Sequence, residues 1–301
     1  MTNELETRCG FVALIGAPNA GKSTLLNRLV GGKVSIVSHK VQTTRALVRG
    51  IMAQEQTQII FVDTPGLFQP KRRLDRAMVN KAWDGAGDSD VVALLIDAQK
   101  GVREDEERIL AALKDRKQKV ILLVNKIDMV KRESLLALVE QISAEVEFSQ
   151  TFMISAAKGD GCDDLLNYLA KEMAVGPWLY PEDQMSDLPM RQLAAEITRE
   201  KLFERLHQEL PYSLTVETES WKELKGGDVR VEQTVFVQRD SHKKILLGKG
   251  GQTVKAVSQA ARKDLQTMLD QKIHLFLFVK VREKWLDDPE RYREMGLDFT
   301  D

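Results

Sequence analysis

Cysteine is scarce: two in 301 residues, Cys9 and Cys162, with no C-x-x-C spacing and no Cys/His clustering. That leaves no basis for a disulfide framework or a zinc cluster, and both are expected as buried small apolar side chains. The four histidines (His39, His207, His242, His274) are as scattered, and none reads as a metal ligand. Long apolar runs are missing too, since none approaches the roughly 18 to 20 residues a membrane-crossing helix needs. The N-terminal MTNELETRCG lacks a basic start followed by an apolar stretch, so a cytoplasmic protein is expected. Low-complexity tracts are few, and 43% apolar with 30% charged residues is the composition of an ordinary folded chain. The length suits two domains, each with its own core.

A formal net charge of −1 hides an uneven distribution. Residues 1–176 carry +1, 177–189 carry −3, 190–285 carry +5 and 286–301 carry −4. Only the third segment is basic enough to suggest a polyanion partner, and a solvated face would account for a charge of this size as well.

Three of the eight prolines fall in VGPWLYPEDQMSDLP, residues 175–189, which fits neither a helix nor a strand pattern and marks a linker, placed at 177–190. Before it, FVALIG, QIIFVDTPG, VVALLIDA, KVILLVNKID and TFMISA recur with helical patterns between them. Runs this apolar without alternation suit strands buried on both faces, so 1–176 is expected to be an α/β domain with a mixed, mostly parallel sheet. Residues 46–53 would add an edge strand. After the linker the order is a helix at 193–209, strands at 213–219 and 229–239, helical stretches with Val254, Val257, Ala261, Leu265 and Met268 on one stripe, and the strand KIHLFLFVKV. That is a small α+β domain over 191–285, followed by an acidic tail at 286–301. The run REDEER, 103–108, reads as a solvated helix face, and the four tryptophans as packing residues or linker anchors.

GAPNAGKST, Gly16 to Thr24, has the form G-x-x-x-x-G-K-[ST] between an apolar strand and a helix. Gly16 and Gly21 would let Ala17, Pro18, Asn19 and Ala20 curl around a polyphosphate at a helix N-terminus. Lys22 would reach the β- and γ-phosphates, Ser23, first in the helix STLLNRLV, would ligate Mg2+, and Thr24 would complete the nucleotide-binding loop. DTPG (Asp63, Thr64, Pro65, Gly66) closes the next strand, placing Asp63 for the second coordination sphere of Mg2+ and the Gly66 N–H for the γ-phosphate. NKID at 125–128 decides the base. An Asp128 carboxylate only accepts hydrogen bonds, which suits the N1–H and 2-amino donors of guanine and not adenine, whose corresponding nitrogen is itself an acceptor. Asn125 and Lys126 would hold the loops and flank the ring, and Ser155, Ala156 and Ala157 of SAAKG would meet guanine O6. The nucleotide is therefore expected to be GTP or GDP, bound where open α/β sheets take their ligands.

KVQTTRALV, residues 40–48, falls where a first switch loop belongs, with a threonine hydroxyl on Mg2+; Thr44 is preferred over Thr43. Where Ras-like enzymes carry a water-orienting glutamine after D-x-x-G, this chain has Leu67, so slow intrinsic turnover is expected. The Asn19 side chain could help hold a K+ near the β/γ bridge, or simply bond within its loop. Lys22, Thr44, Gly66 and Asn19 form the expected catalytic set, and Ser23, Thr44 and Asp63 the metal set.

The second bare stretch, LLGKGGQTV, holds G-x-x-G (Gly248, Lys249, Gly250, Gly251) between two helical patterns. Alone it could be a plain helix–helix turn. In this element order it resembles a KH module of the helix-first, prokaryotic type (type II), whose loop clamps a single-stranded nucleic-acid backbone. Lys243, Lys244, Lys249, Lys255, Arg262 and Lys263 supply charge, and Ile245 and Leu246 would flank the base-holding groove. With GAPNAGKSTLLNRL, QTTR, DTPG, NKID, ELPYS and GKGG together, nearly the whole chain resembles the Era family of bacterial GTPases. The resemblance implies a monomer that binds the 3′ end of small-subunit (16S) ribosomal RNA and acts in assembling that subunit. It also implies weak peripheral association with the inner membrane, which no residue here encodes. Two rivals remain: a GTP-gated regulator of cell division or of a membrane process, which would not need the G-x-x-G module, and an RNA-binding assembly protein with GTP as a structural ligand.

Overall fold

A computed structural model describes residues 6–116, 118–207, 210–283 and 285–299. Glu209, at the end of the expected helix and the start of ELPYS, lies outside them, as do residues 1–5 and 300–301 at the ends of the expected domains. The chain divides into two compact units, 1–35 with 44–187 and 295–301, and 36–43 with 188–294.

The first unit is built on β1 (Arg8–Ile15), α1 (Lys22–Val30), β2 (Val48–Gln54), β3 (Thr57–Asp63), α2 (Arg73–Gly87), β4 (Val91–Asp97) and α3 (Glu104–Leu113). Then come β5 (Lys119–Asn125), α4 (Arg132–Ser143), β6 (Gln150–Ile154), α5 (Cys162–Glu172) and the two-residue β7 (Ala174–Val175). Strands run in the order β2-β3-β1-β4-β5-β6, with β7 beside β1. All neighbours from β3 to β6 are parallel, while β2 and β7 pair antiparallel. The apolar runs lack alternation because both faces are covered. Val12 and Leu14 pack with Leu25 and Leu26 of α1 and Leu165 and Leu169 of α5. Ala13 and Ile15 face the other way, toward a core that includes Ala82, Ile109, Leu110, Leu135 and Ile142 from α2, α3 and α4. Each fully buried aliphatic side chain contributes about 1.5–3 kcal/mol. Cys162 is buried in the first of these cores, whereas Cys9 is only half-buried, its thiol 3.7 Å from the Gln58 Oε1.

The proline-rich stretch after β7 is irregular but tied down. The Gln58 side chain accepts from the Leu179 and Tyr180 N–H groups (2.9 and 3.1 Å) and donates to the Tyr180 carbonyl (2.8 Å). Trp178 donates to the Gln56 carbonyl, Ile51 N–H to the Met185 carbonyl, and Arg49 pairs with Asp187 at 2.9 Å. In REDEER, Glu106 is buried, because its carboxylate caps the start of α3 by accepting the Arg103 N–H.

The second unit holds α6 (Met190–Arg205), β8 (Leu214–Glu223), β9 (Val229–Val237), α7 (Asp240–Leu247), α8 (Gln252–Leu269), β10 (Ile273–Val281) and α9 (Pro289–Glu294). Its sheet order is β10-β9-β8, with β9 parallel to β10 and antiparallel to β8. The first helix begins three residues earlier than its apolar pattern predicts, since Pro189 presets the entry, and stops at Arg205, where Leu206 turns extended. β8 runs on to Glu223 past an irregularity between Thr218 and Ser220, which interrupts the alternation that sequence reading needs. Residues 36–43 lie against α6: the Val37 N–H donates to Glu200 Oε1 (2.9 Å), and Arg199 donates to the Gln42 and Thr43 carbonyls. Within the acidic stretch expected as a tail, α9 is folded and Tyr292 is buried, with Trp285 just before it.

Candidate functional site

Because β3, β1, β4, β5 and β6 are parallel, their C-terminal ends share one edge, and the loops leaving them converge. The loop 16–21 leaves β1, Asp63 ends β3, Asp97 ends β4, Asn125 ends β5, and Ser155 follows β6. Two glycines of the first loop are needed for packing as well as for backbone conformation. Gly16 (φ +150°) has the Leu95 carbonyl oxygen 2.5 Å from where a Cβ would sit, and Gly21 (φ +103°) has the Asn125 amide nitrogen at 2.2 Å. Lys22 is 6% exposed, and its ammonium donates to the carbonyls of Gly16 (2.9 Å) and Ala17 (3.1 Å). Burial pulls its pKa down to about 8, against the opposing pull of the Asp63 charge.

Asp63 is fully buried at the centre of a cluster of oxygens. Its Oδ2 accepts from Ser23 Oγ (2.6 Å), Ser35 Oγ (2.9 Å) and Thr44 Oγ1 (3.2 Å), and Ser23 and Thr44 hydroxyls stand 3.0 Å apart. Burial raises its pKa, and these hydroxyls and Lys22 counter the rise. Its Oδ1 is buried with no hydrogen-bond partner among the described residues. Thr43 points elsewhere, donating to the Lys40 carbonyl at 2.7 Å. Ser35 was not expected here; only its place between the first loop and the switch segment could have signalled it. Thr64 is buried with its hydroxyl on the Leu14 carbonyl (2.8 Å), so its side chain braces β1. Leu67, 2% exposed, packs in the core with Ile15 and Ala82.

The other loops are stitched to the first. Asn125 donates to the Ala20 carbonyl (2.8 Å) and accepts from the Ala156 N–H (3.0 Å). Lys126, at φ +66°, donates to the Asn19 carbonyl (2.9 Å) and to Asp97 Oδ2 (2.6 Å). Asp97 is a second residue that sequence reading missed; it closes the run VVALLIDA, and its register opposite Asn125 places it beside Lys126. Asp128 Oδ1 accepts the Ser155 hydroxyl at 2.8 Å, which fixes the carboxylate plane and leaves Oδ2 with Lys158 Nζ at 3.8 Å.

In the second unit, α7 and α8 meet through Gly248–Gly251. Gly248 (φ +72°, ψ 178°) is in a region essentially restricted to glycine, with Thr253 Oγ1 2.3 Å from a Cβ position. Gly250 (φ +60°) and Gly251 (φ +79°) differ: no described residue lies within 4 Å of a Cβ on either, so their bareness leaves an open approach to the backbone. Lys244, Lys249 and Lys255 are exposed and Lys243 half-exposed. Leu246, expected beside the groove, is fully buried in the core with Val235 and Val257, and Ile245, 59% exposed, is the apolar residue left at the surface. On an eight-residue helix such as α7, periodicity is too short to separate neighbours of this kind.

A P-loop nucleotide site with a guanine-type NKxD loop, followed in the chain by a helix-first αββααβ unit with G-x-x-G, defines a GTPase carrying a KH domain. Residues 11–126 match the family described as 50S ribosome-binding GTPase, and 209–286 match the KH domain family. The chain is 65% identical to GTPase Era of Sinorhizobium medicae, over 97% of this chain and 94% of that one. It is also 65% identical to GTPase Era of Agrobacterium fabrum, over 99% and 94%. A crystal structure of Era in complex with MgGDPNP and nucleotides 1506-1542 of 16S ribosomal RNA matches with a TM-score of 0.91 at 38% identity, over 96% of this chain and 99% of that one. The same figures hold for a point variant of Aquifex aeolicus Era bound to GDP.AlF4-. The chain belongs to the Era family of GTPases.

Proposed function

We propose that this GTPase uses its nucleotide state to govern binding of single-stranded RNA at the 3′ end of 16S ribosomal RNA, and that it acts in assembling the small ribosomal subunit. The observation that carries the reading is the open Gly250–Gly251 backbone among lysines in a KH unit. The 38% identical Era bound to that RNA supports it across nearly the whole chain. Residues 1–176 form the nucleotide domain, 177–190 the linker, 191–285 the RNA-binding domain and 286–301 an acidic end. The chain works as a cytoplasmic monomer. No helix among the described residues is long and apolar enough to cross a membrane, and any membrane contact would be weak and peripheral. RNA crosslinked to the full chain tests the reading: small-subunit 3′-end sequence supports it, and large-subunit sequence contradicts it.

At the nucleotide site, residues 16–24 cradle the phosphates, with the unpaired N–H groups at the start of α1 facing them. The oxygen cluster fits Mg2+, a hard cation that prefers oxygen ligands: Ser23, Thr44 and Asp63 converge, and the buried Oδ1 of Asp63 has no partner among the described residues. Bound there, Mg2+ would neutralise phosphate charge. Lys22 adds its charge at the β- and γ-phosphates, and the Gly66 N–H meets the γ-phosphate. Asp128 reads the base with Ser155, Ala156 and Ala157. Leu67, sunk in the core, orients no water, so intrinsic hydrolysis is slow.

Charge stabilisation would then come from a monovalent cation that Asn19 helps to hold, a residue at φ +66° whose carbonyl accepts from the Lys126 ammonium. Single-turnover hydrolysis in matched KCl and NaCl is expected to be clearly faster in K+ for the wild type. Asn19→Ala removes the difference. Equal wild-type rates in the two salts would mean that the water is activated another way.

A further inference from the structure

We propose that Arg28 is a positioning residue for guanine, aiming the one loop N–H that meets the base's exocyclic oxygen. The inference rests on the reading of Asp128 and residues 155–157 as the base-recognition site. Arg28 stands in the last turn of α1. Its Nε donates to the Ala156 carbonyl at 3.2 Å and its Nη2 to the Ala157 carbonyl at 2.5 Å.

The Ala156 carbonyl and the Ala157 N–H belong to a single planar amide, so a donor fixing the oxygen on one side fixes the direction of the N–H on the other. The neighbouring amides are already used. The Ala156 N–H goes to Asn125 Oδ1 (3.0 Å), the Lys158 N–H to Ser155 Oγ (3.2 Å) and the Gly159 N–H to the Ser155 carbonyl (2.7 Å). The Ala157 N–H has no acceptor among the described residues. Among the N–H groups of residues 155–159 this leaves the Ala157 donor free of the described residues, and it is the donor that Arg28 orients. A cationic donor on the carbonyl also polarises the amide, which strengthens the N–H as a donor.

A basic residue in a helix's last turn has a second use, in which it stabilises the helix end through the dipole. That role changes folding stability and is blind to the base. The two roles separate with 6-thio-GTP, which keeps both donors read by Asp128 and replaces only the exocyclic oxygen by sulfur, a poor acceptor. Affinities of the full-length wild type, Arg28→Met and Arg28→Lys for GTP and 6-thio-GTP are measured by competition, with Asp128→Asn beside them. Wild type is expected to prefer GTP. Arg28→Met weakens GTP by about tenfold, the scale of one well-placed hydrogen bond, and weakens 6-thio-GTP far less, so the preference shrinks; Arg28→Lys restores part of it. Equal losses for both nucleotides, or no loss for either, in a set where Asp128→Asn still weakens GTP, would overturn the role of Arg28. An Asp128→Asn variant that binds GTP like wild type would overturn the base-site reading beneath it.

Discussion

Asn in place of Asp128 is expected to weaken GTP binding by roughly 10² to 10⁴-fold, the loss of two hydrogen bonds to a charged acceptor at about 1.5–3 kcal/mol each. The carboxylate is held through Oδ1 by the Ser155 hydroxyl, and each of its oxygens retains a lone pair to accept with. An amide puts an NH2 against one of guanine's own donors, and that pairing is repulsive. Xanthosine triphosphate carries an oxygen where guanine has its amino group, so the same variant binds it better than wild type does. Wild type should reject ATP, because sites built around a substrate hydrogen bond discriminate by roughly 10⁴ to 10⁵-fold. Competition against labelled GTP measures all three nucleotides. Equal displacement by ATP and GTP from wild type would contradict the assignment of Asp128.

The Gly251→Asp variant is expected to lose at least about a hundredfold in affinity for single-stranded 16S 3′-end RNA, since a like charge set against phosphate costs several kcal/mol. The fold should tolerate it. Gly251 is at φ +79° with open space around its Cβ position, and Asp and Asn are the residues that enter this conformation most readily after glycine. Gly251→Asn has the same shape without the charge and is expected to fall between the two. GTP affinity of the full chain stays unchanged in both, because the residues proposed to hold the nucleotide all belong to the first unit. A gel shift with circular dichroism on the same samples decides the matter. Folded Gly251→Asp binding RNA as tightly as wild type would reduce the loop to a helix–helix turn.

What could be read in advance followed from how each signal is written in the chain. The buried strands were legible because a strand covered on both faces needs an unbroken apolar run, and the loops 16–24, 63–66 and 125–128 because each carries its chemistry in adjacent residues. Ser35, Asp97 and Arg28 were not, since each acts on a partner from another element: Asp63, Lys126, and the carbonyls of Ala156 and Ala157. Gln58 was hidden for the same reason, as its use is to hold residues 179–180. Leu246 and Ile245 were indistinguishable by composition, and only the packing of α7 decides which one is core. Glu106 looked like one more charge in an acidic run until its place three residues past Arg103 made it a cap. Thr43 and Thr44 are equivalent by composition, and only the fold puts the Thr44 hydroxyl on Asp63 and the Thr43 hydroxyl on the Lys40 carbonyl.

Everything proposed for the second unit depends on its glycine loop holding ribosomal RNA. The most direct measurement is ultraviolet crosslinking of the full chain in cells, reading both the attached RNA and the attached peptide. Reads are expected to concentrate in the single-stranded 3′ end of the small-subunit RNA, with adducts on the peptide spanning Lys243 to Lys255. Reads spread across the RNA pool or gathered on the large-subunit RNA, or adducts confined to the first unit, would contradict it.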